Sequence, residues 1–200
     1  IRRGKWVTAS SILQYLFTNI DSTVIGRLLS ADSLGVYQMA YKISTLPITE
    51  ISDVFYKVTF PVFSRIQQDK KRLKKAFTKS SLVLISIIVP IGLLLFFFAE
   101  PIVSLVLGSN WLQVVNPLKV LAIYGIIRAG TAEFPAVFLA VKKQEYVAIA
   151  TLFAVLGIGI TIIPFVRRFG IVGASYSALS GMLVALPALI VCLCKVFKKA

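Results

Sequence analysis

Long apolar runs alternate with short polar gaps along this chain, and six of them stand out: 6–29, 36–64, 82–98, 118–141, 146–166 and 172–193. Each approaches or exceeds the ~20 residues a helix needs to cross the hydrocarbon core of a bilayer. The pattern predicts an all-α, polytopic membrane protein in which residues 1–200 form a single six-transmembrane-helix bundle.

Basic residues then fall in every second gap. They cluster at the amino terminus (Arg2, Arg3, Lys5), between the second and third runs (Arg65, Lys70, Lys71, Arg72, Lys74, Lys75, Lys79), between the fourth and fifth (Lys142, Lys143) and at the end (Lys195, Lys198, Lys199). The opposite gaps hold Arg27 beside Asp32, an uncharged stretch over 108–116, and the pair Arg167 and Arg168. Short cytoplasmic loops carry the Lys/Arg excess, so both termini are expected on the cytoplasmic side, with Arg167 and Arg168 the one dissent.

Composition supports the membrane reading. Of the 200 residues 58% are hydrophobic and 15% charged, against about 45–50% apolar in soluble domains, and mean hydropathy is +0.86. The net charge of +14 would suggest nucleic acid in a soluble protein. Its placement beside the spans points instead to the anionic inner leaflet, where each juxtamembrane Lys or Arg gains about 1 kcal/mol, and no nucleic-acid partner is expected. Segment 67–79 is the clearest example, although setting the topology explains it without specific lipid recognition. There is no histidine, and Cys192 and Cys194 lie two apart on different faces of the last run. Neither a metal centre nor a cofactor site is expected, and without a phosphate-binding glycine loop or a catalytic constellation the chain reads as no enzyme. It begins at Ile1, directly in a basic segment, and reads as a piece of something longer.

Along the chain, Ser30 to Gly35 is expected to be a tight turn that makes runs one and two a helical hairpin. Run two holds Pro47 and Pro61, and a kink is expected near Pro47, where the ring deletes a backbone hydrogen bond. Trp111 fits an interfacial anchor on the outer side. Glycines in runs four to six are packing positions in the first instance.

Ionisable residues inside spans are costly and mark functional positions by default. Run two carries Lys42, Glu50, Asp53 and Lys57. At about 100° per residue these share an arc of roughly 100° with Thr49 and Ser64, a polar stripe on an otherwise apolar helix. Run one has a matching stripe of Ser11, Gln14, Thr18 and Asp21, and run four places Arg128 near its centre with Glu133 deeper. Pairing of Arg128 with Glu50 or Asp53, and of Asp53 with Lys57, is one expectation, in which the charges merely fix packing. A hydrated cavity is the other. Cations there suit a phosphate-bearing lipid head group; the carboxylates suit coupling to protons or ions. The charges alone do not choose.

Several stretches carry a resemblance: Asn19-Ile20-Asp21, Val24-Ile25-Gly26-Arg27-Leu28-Leu29, Leu34-Gly35-Val36-Tyr37, Ala40-Tyr41-Lys42, Leu46-Pro47, Phe60-Pro61-Val62-Phe63-Ser64, Ala99-Glu100-Pro101-Ile102, and Leu107-Gly108 followed by Trp111. In order and spacing, over nearly the whole chain, they resemble the polysaccharide exporter or O-antigen flippase family of the multidrug/oligosaccharidyl-lipid/polysaccharide superfamily. The resemblance implies the carboxy-terminal lobe of a two-lobed MATE-like transporter in a bacterial cytoplasmic membrane, with the amino-terminal lobe as its missing partner. It implies translocation of undecaprenyl-diphosphate-linked oligosaccharide by alternating access. Basic cavity residues would attract the diphosphate, a role that falls here on Lys42, Arg128 and Lys57. Asp21, Glu50, Asp53 and Glu133 would balance charge or couple transport. The rivals are a cation- or proton-coupled multidrug exporter, a lipid-linked peptidoglycan precursor flippase, and a non-transporting membrane assembly subunit.

Overall fold

Why each helix starts and stops where it does is written in a few local residues. The computed structural model describes the backbone of residues 2–198 and the side chains of residues 11–198; Arg2, Arg3, Lys5 and Lys199 of the basic clusters lie outside the described side chains. Helix α1 spans Arg2–Leu28 and α2 spans Ala31–Ile66. The turn between them is shorter than the sequence suggests, because the Ser30 hydroxyl accepts the Ser33 amide at 3.1 Å and starts α2 at once. Gly35 therefore lies inside the helix. Asp69 does the same for α3, Lys70–Phe97, accepting the Arg72 amide at 3.0 Å. As a result the basic stretch ahead of Leu82 is itself helical and extends α3 about three turns below its apolar part.

α4, Ala99–Val106, and a 3-10 segment, Ser109–Val114, fill the next gap. Trp111 is half-buried and packs on the core there. α5, Val115–Gly130, and α6, Phe134–Ala140, form one broken rod, and α7 covers Gln144–Lys198. Gly170 divides α7 into arms 144–169 and 171–198, with φ 58° and ψ −133°, a conformation open essentially to glycine alone. Counting the two arms separately and α5–α6 as one, six rods make the bundle, with no strand among the described residues. α1 lies on α7, α2 packs against α3, α5 and α6, and α5 also meets α7. Tyr37, Phe63, Leu118, Leu121, Tyr124 and Phe138 are fully buried at the centre.

The backbone break falls in run four rather than run two. α2 continues as helix through both Pro47 and Pro61, whereas the expected single span 118–141 opens at 131–133. There the amides of Thr131 and Ala132 turn back to the carbonyls of Arg128 and Ala129, each at 3.1 Å. Pro135, in the first turn of α6, has no N–H to carry the ladder through.

Among the described residues three stretches are long and apolar enough to cross a membrane: Lys70–Phe97, Ser109–Ala140 and Gln144–Lys198, the last as two arms. α3 turns Leu82, Val83, Ile85, Ile87, Leu93 and Leu94 outward, a surface that suits lipid tails and not water. The α7 arms pack closely where two glycines face each other. A Cβ on Gly157 would stand 2.9 Å from the Gly181 Cα and 3.2 Å from the Val184 Cβ. Gly157→Val is expected to cost about 1–3 kcal/mol through overpacking and to lower the thermal midpoint of the intact protein in detergent. An unchanged midpoint would show that the arms are not in contact.

Candidate functional site

Arg128 stands two residues before the end of α5, in its last turn, where the unpaired carbonyls of a helix end favour a cation. The helix break completes that end: the Thr131 hydroxyl donates to the Arg128 carbonyl at 2.9 Å. The guanidinium is held by phenols. Its Nη1 donates to the Tyr41 hydroxyl at 2.9 Å, and the Tyr124 hydroxyl lies at 3.5 Å. The Tyr41 ring sits between those of Tyr37 and Tyr124, with centroids 6.2 and 6.5 Å away.

Below this aromatic wall opens a cleft of about 400 Å³. α1 contributes Gln14, α2 Thr49 and Asp53, α5 Arg128, the break Thr131, and α7 Thr151, while the rest of the wall is mainly apolar. Asp53 is exposed. The expected pairs Arg128–Glu50, Arg128–Asp53 and Asp53–Lys57 do not form. Among the described residues the ion pairs are Arg72–Asp69 and Lys143–Glu145, both outside the apolar region. For Arg128 the reason is that Tyr41 and Tyr124 already engage the guanidinium.

Lys42 lies apart from Arg128. It lines a second hollow of about 100 Å³ with Asp21, Tyr37 and Tyr41, so Tyr41 separates the two cations. Asp21, 6% exposed, accepts the Tyr37 hydroxyl at 2.5 Å and the Ser22 amide at 2.7 Å, which ties α1 to α2. Glu133, 1% exposed, accepts the Thr59 hydroxyl at 3.1 Å and the Ser80 hydroxyl at 2.6 Å. It thereby joins α2 and α3 to the break. Lys57 and Glu50 are exposed and line neither hollow.

Sequence reasoning passed over the tyrosines and the hydroxyl partners. Tyr37 and Tyr41 are four apart on α2, as Tyr124 and Arg128 are on α5, a spacing that puts each pair on one helix face. Nothing comparable announces Thr59 and Ser80, which reach Glu133 from distant helices. No group of three metal-ligating side chains occurs among the described residues.

The arrangement as a whole is a cation within the bundle, unpaired with any acid among the described residues, facing a cleft large enough for part of a ligand. The chain is similar to other proteins in sequence and in fold. It is 34% identical over 129 residues to "Lipopolysaccharide biosynthesis protein WzxC" of Escherichia coli (strain K12), a match covering 64% of this chain and 26% of that protein. It is 32% identical over 125 residues to "Teichuronic acid biosynthesis protein TuaB" of Bacillus subtilis (strain 168), covering 62% of this chain and 26% of that one. The fold is that of "Lipid II flippase MurJ, inward closed conformation", with TM-score 0.77 at 17% identity over 98% of this chain and 43% of that chain. The matched region thus spans about a quarter of the length of these curated relatives. The family described as "Polysaccharide biosynthesis protein" matches residues 1–116. With more than half its length matched, this multi-pass, all-helical membrane chain belongs to that polysaccharide biosynthesis protein family.

Proposed function

We propose that the chain is one lobe of a flippase that carries undecaprenyl-diphosphate-linked oligosaccharide across the cytoplasmic membrane for surface polysaccharide synthesis. The observation that carries this reading is Arg128, a cation that faces the cleft with no carboxylate of the described residues in salt-bridge range. A guanidinium has five N–H donors in a planar fork. Two phenol oxygens use one edge of it, and the remaining donors suit the oxygens of a diphosphate, to which charge-assisted hydrogen bonds are strong where water is scarce.

Lys42 supplies a second positive charge beyond Tyr41, and Lys57 a third on the exposed face of α2. Asp21, Glu50, Asp53 and Glu133 balance these charges or couple transport. A single lobe over residues 1–200 works against an amino-terminal lobe by alternating access, with the cleft as its half of the shared cavity. Both termini face the cytoplasm, and the basic start of α3 rests on anionic lipid head groups. The task is movement of a lipid, with no covalent step and no enzyme chemistry.

The test is translocation by the intact two-lobed protein in proteoliposomes, using a fluorescent undecaprenyl-diphosphate oligosaccharide and an impermeant quencher. Hydrogen bonds to charged groups contribute about 1.5–3 kcal/mol each. Arg128→Ala is therefore expected to slow translocation roughly 10- to 100-fold. Translocation at the wild-type rate in that variant would remove the diphosphate site.

A further inference from the structure

Arg128 and Asp53 line one cleft and yet do not pair, although opposite charges attract strongly in a poorly hydrated space. Geometry on the far side of the guanidinium explains it. Contacts advance together along α2 and the α5–α6 rod: Ser44 and Ile48 lie beside Gly125, and Thr59 bonds Glu133. The two rods therefore run parallel. Side chains on a helix lean toward its N-terminus, so Arg128 leans up to Tyr124, one turn earlier on α5, and to Tyr41. Asp53 lies about three turns below Tyr41 on α2.

We propose that Tyr41, with Tyr124, is a positioning residue that holds Arg128 off Asp53 and so keeps the cleft's guanidinium open to the substrate's diphosphate. The inference rests on the Arg128 site proposed above. Phenol oxygens accept hydrogen bonds without cancelling charge, so the guanidinium stays pinned and still carries its full positive charge. Released from Tyr41, it would swing to Asp53, and an arriving anion would then have to displace a carboxylate from a fork that suits it equally well.

The experiment is calorimetric titration of the purified intact protein with inorganic pyrophosphate, for the wild type, Tyr41→Phe, Asp53→Asn and the double variant. Tyr41→Phe keeps the ring and loses only the hydroxyl; it is expected to weaken binding about tenfold. Asp53→Asn alone tightens binding by removing a like charge from the cleft. In the Asp53→Asn background, Tyr41→Phe is expected to change affinity less than about threefold, because no carboxylate remains to capture Arg128. A purely structural role for Tyr41 predicts equal losses in both backgrounds, and equal losses overturn the proposal, as does unchanged binding in Tyr41→Phe. If the wild type binds no pyrophosphate, or binds it equally well after Arg128→Ala, the anion site itself is overturned and not merely its positioning.

Discussion

Replacing Lys42 and Arg128 together by Ala in the intact protein is expected to abolish surface polysaccharide while the protein still inserts into the membrane at the wild-type level. Two charge-assisted contacts at about 1.5–3 kcal/mol each amount to about 3–6 kcal/mol, or roughly a hundred- to ten-thousandfold in binding. The two residues are not expected to share the loss equally. Arg128 is partly buried and already oriented by Tyr41 and Tyr124, whereas Lys42 is exposed on the other side of Tyr41 and hydrated before any ligand arrives. Arg128→Ala alone should account for most of the defect. Insertion should be spared because neither residue belongs to an ion pair on which packing depends. The measurement is cell-surface polysaccharide by immunoblot beside protein level in isolated membranes. Normal polysaccharide in the double variant would exclude these cations from transport.

Glu133→Ala is expected to be the most destabilising single substitution in the bundle interior, at about 3 kcal/mol. The carboxylate is a point at which hydroxyls of both α2 and α3 meet the break between α5 and α6. Truncation removes both bonds and leaves a void, and relief of the carboxylate's desolvation offsets part of that cost. Glu133→Gln should cost under about 1 kcal/mol. Its amide oxygen keeps one hydroxyl donor. Its amide nitrogen donates to the other hydroxyl, which then turns to its own helix carbonyl: Phe55 lies 2.8 Å from Thr59 and Phe77 lies 3.1 Å from Ser80. Thermal unfolding of the intact protein in detergent tests both. Equal midpoints for Ala and Gln would show that the carboxylate does not tie these helices together.

Much of this was legible along the chain because one-dimensional patterns report on single helices. The run of apolar residues marks each rod, and helical spacing puts Thr49 and Asp53 on the face of α2 that lines the cleft. Arg128 could be placed near the middle of its run by counting. What could not be read were partners supplied by other helices. An arginine and two carboxylates in neighbouring spans look like a salt bridge, but Tyr41 reached the guanidinium first, and no spacing rule announces a phenol 87 positions away. Lys42 and Arg128 looked like one cationic site; one ring, that of Tyr41, makes them two. The position of the helix break was obscured for a different reason. Pro47 carries the stronger sequence signal, yet α2 continues as helix there, while Gly130, Thr131 and Pro135 act jointly to open the α5–α6 rod. Ser30 shortened the first turn by capping α2 early, a local effect that the Gly35 signal masked.

The decisive observation is the structure of the intact protein with its lipid-linked oligosaccharide bound. The diphosphate should sit within about 3 Å of the Arg128 guanidinium, inside the cleft that Asp53 and Thr49 line, with Tyr41 still bonded to the arginine's opposite edge. A diphosphate seated elsewhere, with Arg128 closed on Asp53 or turned to the lipid tails, would contradict the account.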